Sequence, residues 1–291
     1  MTINGKLPIN EWGKDERNGH ILAMRPYPSP NRSIELTELV YWSEGKRVKG
    51  LLAVPIEWRE AVIEGLRAGG NARHFEGISG MLYLRGGLQS IGMVRPARIA
   101  QFAQRGFIVF APYYRGNRGG EGKDEFVGVD RMDAVTGVDV LRQFCGEAPV
   151  HVYGFSRGGL MALWTAIERT DLTSLTTWAG VSDVTATYWE RVDMRRGLKR
   201  IVGGTPNRVP ELYEARTPLF AVDRINVPVL VVHGTEDRHV DIGHAEKLIA
   251  ALIQNRRSVE GWIDDGLRHH YSPELNYETV TRICQWMKEQ E

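Results

Sequence analysis

The sequence predicts an α/β domain: a mostly parallel central sheet of about eight strands, helices on both faces, and an antiparallel N-terminal hairpin. Three observations predict it. From Met81 onward short apolar runs alternate with stretches of helical spacing, the pattern of βα units whose right-handed crossovers cover both faces of a parallel sheet. Ahead of them, two β-like runs are joined by the polar Ser43-Glu44-Gly45-Lys46-Arg47, a hairpin signal. Finally, glycine-rich connections follow directly on several apolar runs, at the carboxyl ends of strands, where such sheets carry their sites.

Taken in order, residues 1–33 hold four prolines and no clear period, and are expected to form a surface arm. Ile34 to Trp42 and Val48 to Val54 are the hairpin strands, and Pro55 ends the second. Residues 56–78 contain Gly65, Gly69 and Gly70, which suggests a surface loop or a short broken helix. Met81 to Leu84 reads as a short buried strand. Pro96 to Arg105 has helical spacing, with Gly106 at the stop. Phe107 to Ala111 is a strand, Phe126 to Phe144 a helix, and Val150 to Tyr153 a further buried strand leading to an apolar helix over Gly159 to Ile167. Strands at Leu172 to Trp178, Val227 to His233 and Ser258 to Ile263 follow, with a helix over Val240 to Gln254. Ser272 as N-cap and Pro273 at N1 open a last helix. No internal repeat or low-complexity linker divides residues 34–291, so one domain is expected.

The composition excludes several function classes. Of 291 residues 42% are apolar, enough for a sizeable core, and 37 basic against 36 acidic residues give a net charge of +1. No global field draws nucleic acid or an anionic membrane, so neither is expected as a partner. The N-terminus has no apolar signal region and no run approaches a membrane span; a cytoplasmic protein is the expectation. Cys145 and Cys284 are far apart, outside any C-x-x-C pattern, and read as buried thiols. The remaining histidines (His20, His74, His151, His233, His239, His244) show no metal-ligand pattern.

Chemistry enters at Gly154-Phe155-Ser156-Arg157-Gly158. A G-x-S-x-G placed between a strand and a helix is a nucleophile elbow. The turn holds Ser156 in a strained conformation above the sheet edge, at the positive end of the following helix. The competing reading is a glycine-rich turn whose serine caps a helix. A serine hydroxyl needs a base, and the base an orienting acid; in elbow folds these follow in the order acid, then histidine. The acid is expected at Asp237, in His233-Gly234-Thr235-Glu236-Asp237, rather than at its neighbour Glu236. Asp237 could also cap the helix that follows. The base is expected after the last strand, where His269 and His270 are adjacent, and the residues alone leave that choice open. Two backbone N–H groups should receive a developing oxyanion: that of Arg157, and that of Gly87 in the Arg85-Gly86-Gly87-Leu88 loop.

These ordered motifs resemble the prolyl oligopeptidase family of serine hydrolases, within the α/β-hydrolase fold. The resemblance runs from about Glu35 to the C-terminus and rests on LYLRGG, APYYRGNRGGEGKDEF with the helix containing Asp133, GFSRGGLMAL, AGVSDV, TPLFAVDRINVPVLVVHGTEDRHV and DDGLRHHY. In the family the last motif reads glycine, two residues, histidine, small residue, aromatic; laid on Gly266 to Tyr271 it selects His269. The oxyanion motif is commonly His-Gly-Gly-Pro, and here Arg85 and Leu88 flank the glycines. Arg157 stands where the family often has tyrosine or asparagine, which leaves its side chain to line the site. Only about 33 residues precede the first expected strand, fewer than one propeller blade of ~40–45 residues. The resemblance therefore implies a stand-alone hydrolase, and such proteins are frequently esterases.

Residues 186–217 depart from plain alternation, with Tyr188, Trp189, Arg191, Arg195, Arg196, Lys199, Arg200 and Tyr213 between two strands. Such an excursion suits a lid or a substrate wall with arginines for a carboxylate, or a solvated helical face. The expectation is thus a serine hydrolase acting by acyl transfer through Ser156, Asp237 and His269, without cofactor, a carboxylesterase of small acyl esters. The alternative is a peptidase on short peptides, which the same triad serves. A non-catalytic binding protein on the same fold is the distant alternative. By analogy with propeller-less relatives, a homo-oligomer is also left open.

Overall fold

The computed structural model describes residues 17–67, 78–89 and 91–291. In chain order the elements are β1 (Ile21–Tyr27), β2 (Ile34–Ser43), β3 (Lys46–Pro55), α1 (Arg59–Arg67), β4 (Ser79–Leu84), α2 (Pro96–Ala103), β5 (Phe107–Pro112) and α3 (Met132–Cys145). Then come β6 (Val150–Phe155), α4 (Gly158–Glu168), β7 (Ser174–Trp178), α5 (Val184–Glu190), α6 (Arg195–Val202), α7 (Pro210–Glu214), β8 (Val229–Gly234), α8 (Gly243–Gln254), β9 (Val259–Asp264) and α9 (Pro273–Lys288).

The strands form a nine-stranded sheet in the order β1-β2-β3-β5-β4-β6-β7-β8-β9. β1 to β3 pair antiparallel with one another, and β3 joins β5 antiparallel. From β5 to β9 all pairings are parallel. Both faces are covered, because strand side chains alternate. In β5, Ile108 and Phe110 enter a core layer shared with α1, α3, α4 and α8, whereas Phe107, Val109 and Ala111 enter the layer shared with α2 and α9. This is the α/β-hydrolase arrangement. Cys145 and Cys284 lie in these layers as free, buried thiols, and burial pushes both up to about 12.

The structure corrects the sequence expectation at two places. The arm expected over residues 1–33 contains β1, which raises the strand count from about eight to nine; residues 1–16 lie outside the described residues. Pro26 obscured it, since proline lacks a ladder donor, but β1 is the sheet edge, where proline is tolerated. The helix expected from Phe126 begins only at Met132, after a 3₁₀ turn over Val129–Arg131. Phe126 and Val127 instead have φ of 52° and 67°. Their N–H groups reach Asp124 Oδ1 (3.3 Å) and Asp130 Oδ2 (3.4 Å), so carboxylates take the place of helical carbonyls. The broken helix expected in 56–78 is a 3₁₀ turn and α1; the stretch 68–77 lies outside the described residues.

The order β5-β4-β6 means that the chain leaves β4 in one direction and returns on its other side. The carboxyl ends of β4 and β6 flank that switch, where an open α/β sheet has its crevice. Their parallel register sets Leu84 opposite Gly154. The loops that follow therefore start side by side.

Candidate active site

Ser156 stands between β6 and α4 with φ of 57°, a left-handed conformation that costs about 1–3 kcal/mol. The surroundings impose it. Ser156 N–H donates to Trp178 O (3.1 Å), and Ser156 O accepts from Gly159 N (2.8 Å) and Val181 N (3.0 Å), which ties the turn to the end of β7. The flanking glycines are required by close approach: a Cβ on Gly158 would lie 2.0 Å from Leu84 O, and one on Gly154 would lie 2.2 Å from Gly158 O. The Ser156 hydroxyl thus sits at the N-terminal end of α4, where the helix dipole favours developing negative charge.

Asp237 lies on the loop after β8 and is nearly buried. Its Oδ2 accepts from His269 Nδ1 at 2.7 Å, and its Oδ1 accepts from His239 N (2.8 Å) and Val240 N (3.0 Å). Burial works to raise this carboxyl, but the bond and charge of His269 with the two backbone amides outweigh it and hold it below its usual value. Asp237 therefore orients an imidazole and organises the loop ahead of α8. Glu236 instead lies at the surface beside Arg268, 3.7 Å away.

His269 is buried, with its ring on Phe155 (centroids 5.0 Å apart). With Nδ1 engaged by Asp237, Nε2 is the nitrogen left for proton transfer. His270 is exposed and stacks on Phe155 at 5.6 Å, with its ring centroid 4.9 Å from that of His269. Burial, then the nearby His269, His239, Arg95 and Arg98, lower its pKa. The structure thus brings His269, not His270, onto Asp237.

His233 is a further residue the sequence reading left without a role. It is fully buried, its Nε2 donates to Val240 O (2.9 Å), and it lies 3.6 Å from Asp237 Oδ2. Burial lowers its pKa, so it stands as a neutral brace beneath the Asp237 loop.

The loop after β4 packs directly against the elbow: a Cβ on Gly86 would lie 2.8 Å from Ser156 Cβ and 3.3 Å from its Oγ. Two arginines fix this loop from behind. Arg85 Nη1 donates to Gly86 O (3.0 Å) and Ile91 O (3.3 Å), while its Nε and Nη2 donate to Tyr113 O. Arg157 Nη1 donates to Gly87 O (3.0 Å). In a trans peptide the N–H points opposite to the preceding C=O. Holding the Gly86 and Gly87 carbonyls on guanidinium groups therefore turns the N–H groups of Gly87 and Leu88 the other way.

The Arg157 side chain consequently does not line the site, contrary to the sequence expectation. It is 2% exposed and pairs with Asp124 (2.8 Å) and Asp130 (2.6 Å). Arg85 is 1% exposed and lies 3.7 Å from Asp124. Burial acts to raise Asp124, yet Arg157 and its hydrogen bonds hold it below its usual value, whereas burial pushes Asp130 up to about 6. Asp124 and Asp130 were invisible as partners of Arg157 because about thirty residues separate them from it. Among the described residues no group of metal-ligating side chains occurs, and no helix is long and apolar enough to cross a membrane.

Comparison with known proteins agrees with this arrangement. The profile of the prolyl oligopeptidase family matches residues 93–290. The uncharacterized peptidase YtmA of Bacillus subtilis (strain 168) is 45% identical over 271 residues, covering 92% of this chain and 99% of that protein. Among solved structures, an acylaminoacyl peptidase of Pyrococcus horikoshii superposes with a TM-score of 0.70 at 16% identity, over 89% of this chain but only 42% of that one. An acetyl xylan esterase from Paenibacillus sp. R4 superposes with a TM-score of 0.64 at 15% identity, over 90% and 88% of the two chains. At such identities the two structures establish the fold alone, whereas the profile match and the B. subtilis relative together establish that the chain belongs to the prolyl oligopeptidase family of serine hydrolases.

Proposed function

We propose that the protein is a serine peptidase of short peptides, with Ser156 as nucleophile, His269 as base, Asp237 as orienting acid, and the backbone N–H groups of Arg157 and Gly87 as oxyanion donors. The observation that carries the chemistry is the 2.7 Å bond from His269 Nδ1 to Asp237, with His269 packed on the residue preceding the strained Ser156. Ser156 Oγ attacks the scissile carbonyl carbon as its proton passes to His269 Nε2. Asp237 holds the Nδ1–H tautomer and stabilises the imidazolium. The oxyanion forms against the two N–H groups, which are worth most in a dry, preorganised site. His269 then returns the proton to the leaving amine, and water activated by the same imidazole releases the acyl group.

The carboxylesterase reading expected from the sequence receives no specific support. What favours a peptide is the relative matched across nearly its whole length, which is named a peptidase. The esterase of similar chain length shares only the fold, and fold does not carry substrate. The test compares an aminoacyl p-nitroanilide with a p-nitrophenyl acyl ester on wild type and Ser156→Ala. Anilide turnover that vanishes in Ser156→Ala is expected. Ester turnover with an inert anilide would return the protein to the esterase reading.

A further inference from the structure

Beside the oxyanion loop opens a cleft of about 1080 Å³, just above the ~300–1,000 Å³ typical of ligand sites. Ser156 does not line it. Gln89 does, two residues beyond Gly87 and so within about 7 Å of chain from the proposed donor. The Gln89 N–H is anchored to Asp124 Oδ2 (3.2 Å), the same carboxylate that holds Arg157. The cleft is therefore built onto the machinery that shapes the oxyanion loop.

Basic side chains outnumber acidic ones in its walls, where Asp124 and Glu125 are the acids. Arg118 and Lys123 come from the loop after β5, Arg200 from α6, and Arg216 from the segment after α7. None of the four has a carboxylate within ion-pair distance among the described residues. Arg118 lies over the Tyr113 ring, and Arg216 donates to the Leu212 and Glu125 carbonyls. The nearby acids are otherwise engaged. Glu121 is held by Arg47 (2.5 Å), Asp124 by Arg157, and Glu125 Oε2 by the Val129 N–H (3.0 Å). Elsewhere in the α5–α7 segment, Arg191 pairs with Asp193, and Arg195 donates to the Tyr188 and Trp189 carbonyls, whereas Arg196 and Arg208 are exposed outside the cleft. Four basic side chains from two separate segments thus face one cleft.

We infer that this cleft is a subsite for a carboxylate of the substrate, lying one or two residues from the scissile carbonyl. The inference rests on the acyl-transfer reading above and names the substrate class it implies. Two exposed arginines and a lysine converging on open space are suited to a carboxylate, for which the arginine fork is shaped. The carboxylate belongs either to the free C-terminus of a short peptide or to an acidic side chain beside the cleaved bond.

The test measures kcat/KM for matched pairs. One pair is a tripeptide with a free C-terminus against its amide; a second is Glu against Gln p-nitroanilide; a third is the hydrogen adipate p-nitrophenyl ester against its methyl ester. At low ionic strength the carboxylate member of at least one pair should be preferred by roughly tenfold, and the preference should shrink with added salt. In an Arg118→Gln, Arg200→Gln double variant the ratio should fall towards one, and in Arg200→Glu below that of the double variant. A ratio near one in every pair, or a preference that persists in the double variant, overturns the subsite. Peptides cleaved with a ratio near one would leave the peptidase reading standing without the subsite. Inert peptides with a charge-dependent ester pair would do the reverse.

Discussion

Replacing Arg157 by methionine probes the foundation of the site. The side chain is fully enclosed, and its guanidinium is the common partner of Asp124, Asp130 and the Gly87 carbonyl. Removing it leaves two carboxylates buried together, and breaking such a group costs about 3–5 kcal/mol, a fall in Tm of roughly 5–8 °C for a chain of this size. The loss should depend on pH. Asp130 already has its pKa raised to about 6 by burial. A carboxyl raised above its unfolded value of ~4 contributes stability that is complete below that value and lost as pH rises through the folded one. Without Arg157 the folded value moves higher and the loss deepens, so the gap between variant and wild type should be wide at pH 8 and narrower at pH 5. Thermal unfolding of both proteins across that range reads it directly. Fluorophosphonate labelling of the variant should also slow by about 10- to 100-fold, less than or near the ~10²–10³ lost with one oxyanion donor. A variant as stable as wild type at pH 8, or a gap that does not change with pH, would refute the reasoning.

Other perturbations test separate parts of the account. Gly158→Ala places a methyl 2.0 Å from Leu84 O, so the elbow must open; soluble protein should be scarce or its Tm sharply lowered, and an unperturbed Tm would contradict the close approach. Asp237→Asn should keep the fold but favour the wrong His269 tautomer, lowering kcat by roughly 10⁴; a loss under tenfold would remove the orienting role. In wild type the depressed Asp237 carboxyl contributes stability present above about pH 4 and lost as pH falls through its folded value. Asp237→Asn should therefore flatten the acid limb of a Tm–pH curve, and an unchanged limb would speak against the ion pair.

How far the sequence foretold this molecule varied with the range of the forces involved. The elbow was legible because its requirements are local: glycines on either side of the serine, a buried strand before, an apolar helix after. The parallel order was legible from alternating periods, and Ser272 caps α9 as expected, accepting from Leu275 N (3.3 Å). What was not legible was set at a distance. β1 forms because β2 offers it an edge, despite Pro26. Phe126 and Val127 bend away from the helical spacing because Asp124 and Asp130 capture their amides. Arg157, beside the serine in sequence, suggested a site wall, but buried carboxylates draw its side chain behind the oxyanion loop instead. Between the adjacent His269 and His270 the residues alone left the choice open; the family motif pointed to His269, and that is the ring bonded to Asp237.

The measurement that tests the central claim most directly is fluorophosphonate labelling of wild type beside Ser156→Ala, His269→Ala and His270→Ala, each checked for folding by its Tm. The account predicts rapid labelling of wild type, none in Ser156→Ala, loss of at least ~10³-fold in rate in His269→Ala, and retention in His270→Ala. Labelling that survives in folded Ser156→Ala, or that fails in His270→Ala while persisting in His269→Ala, would contradict it.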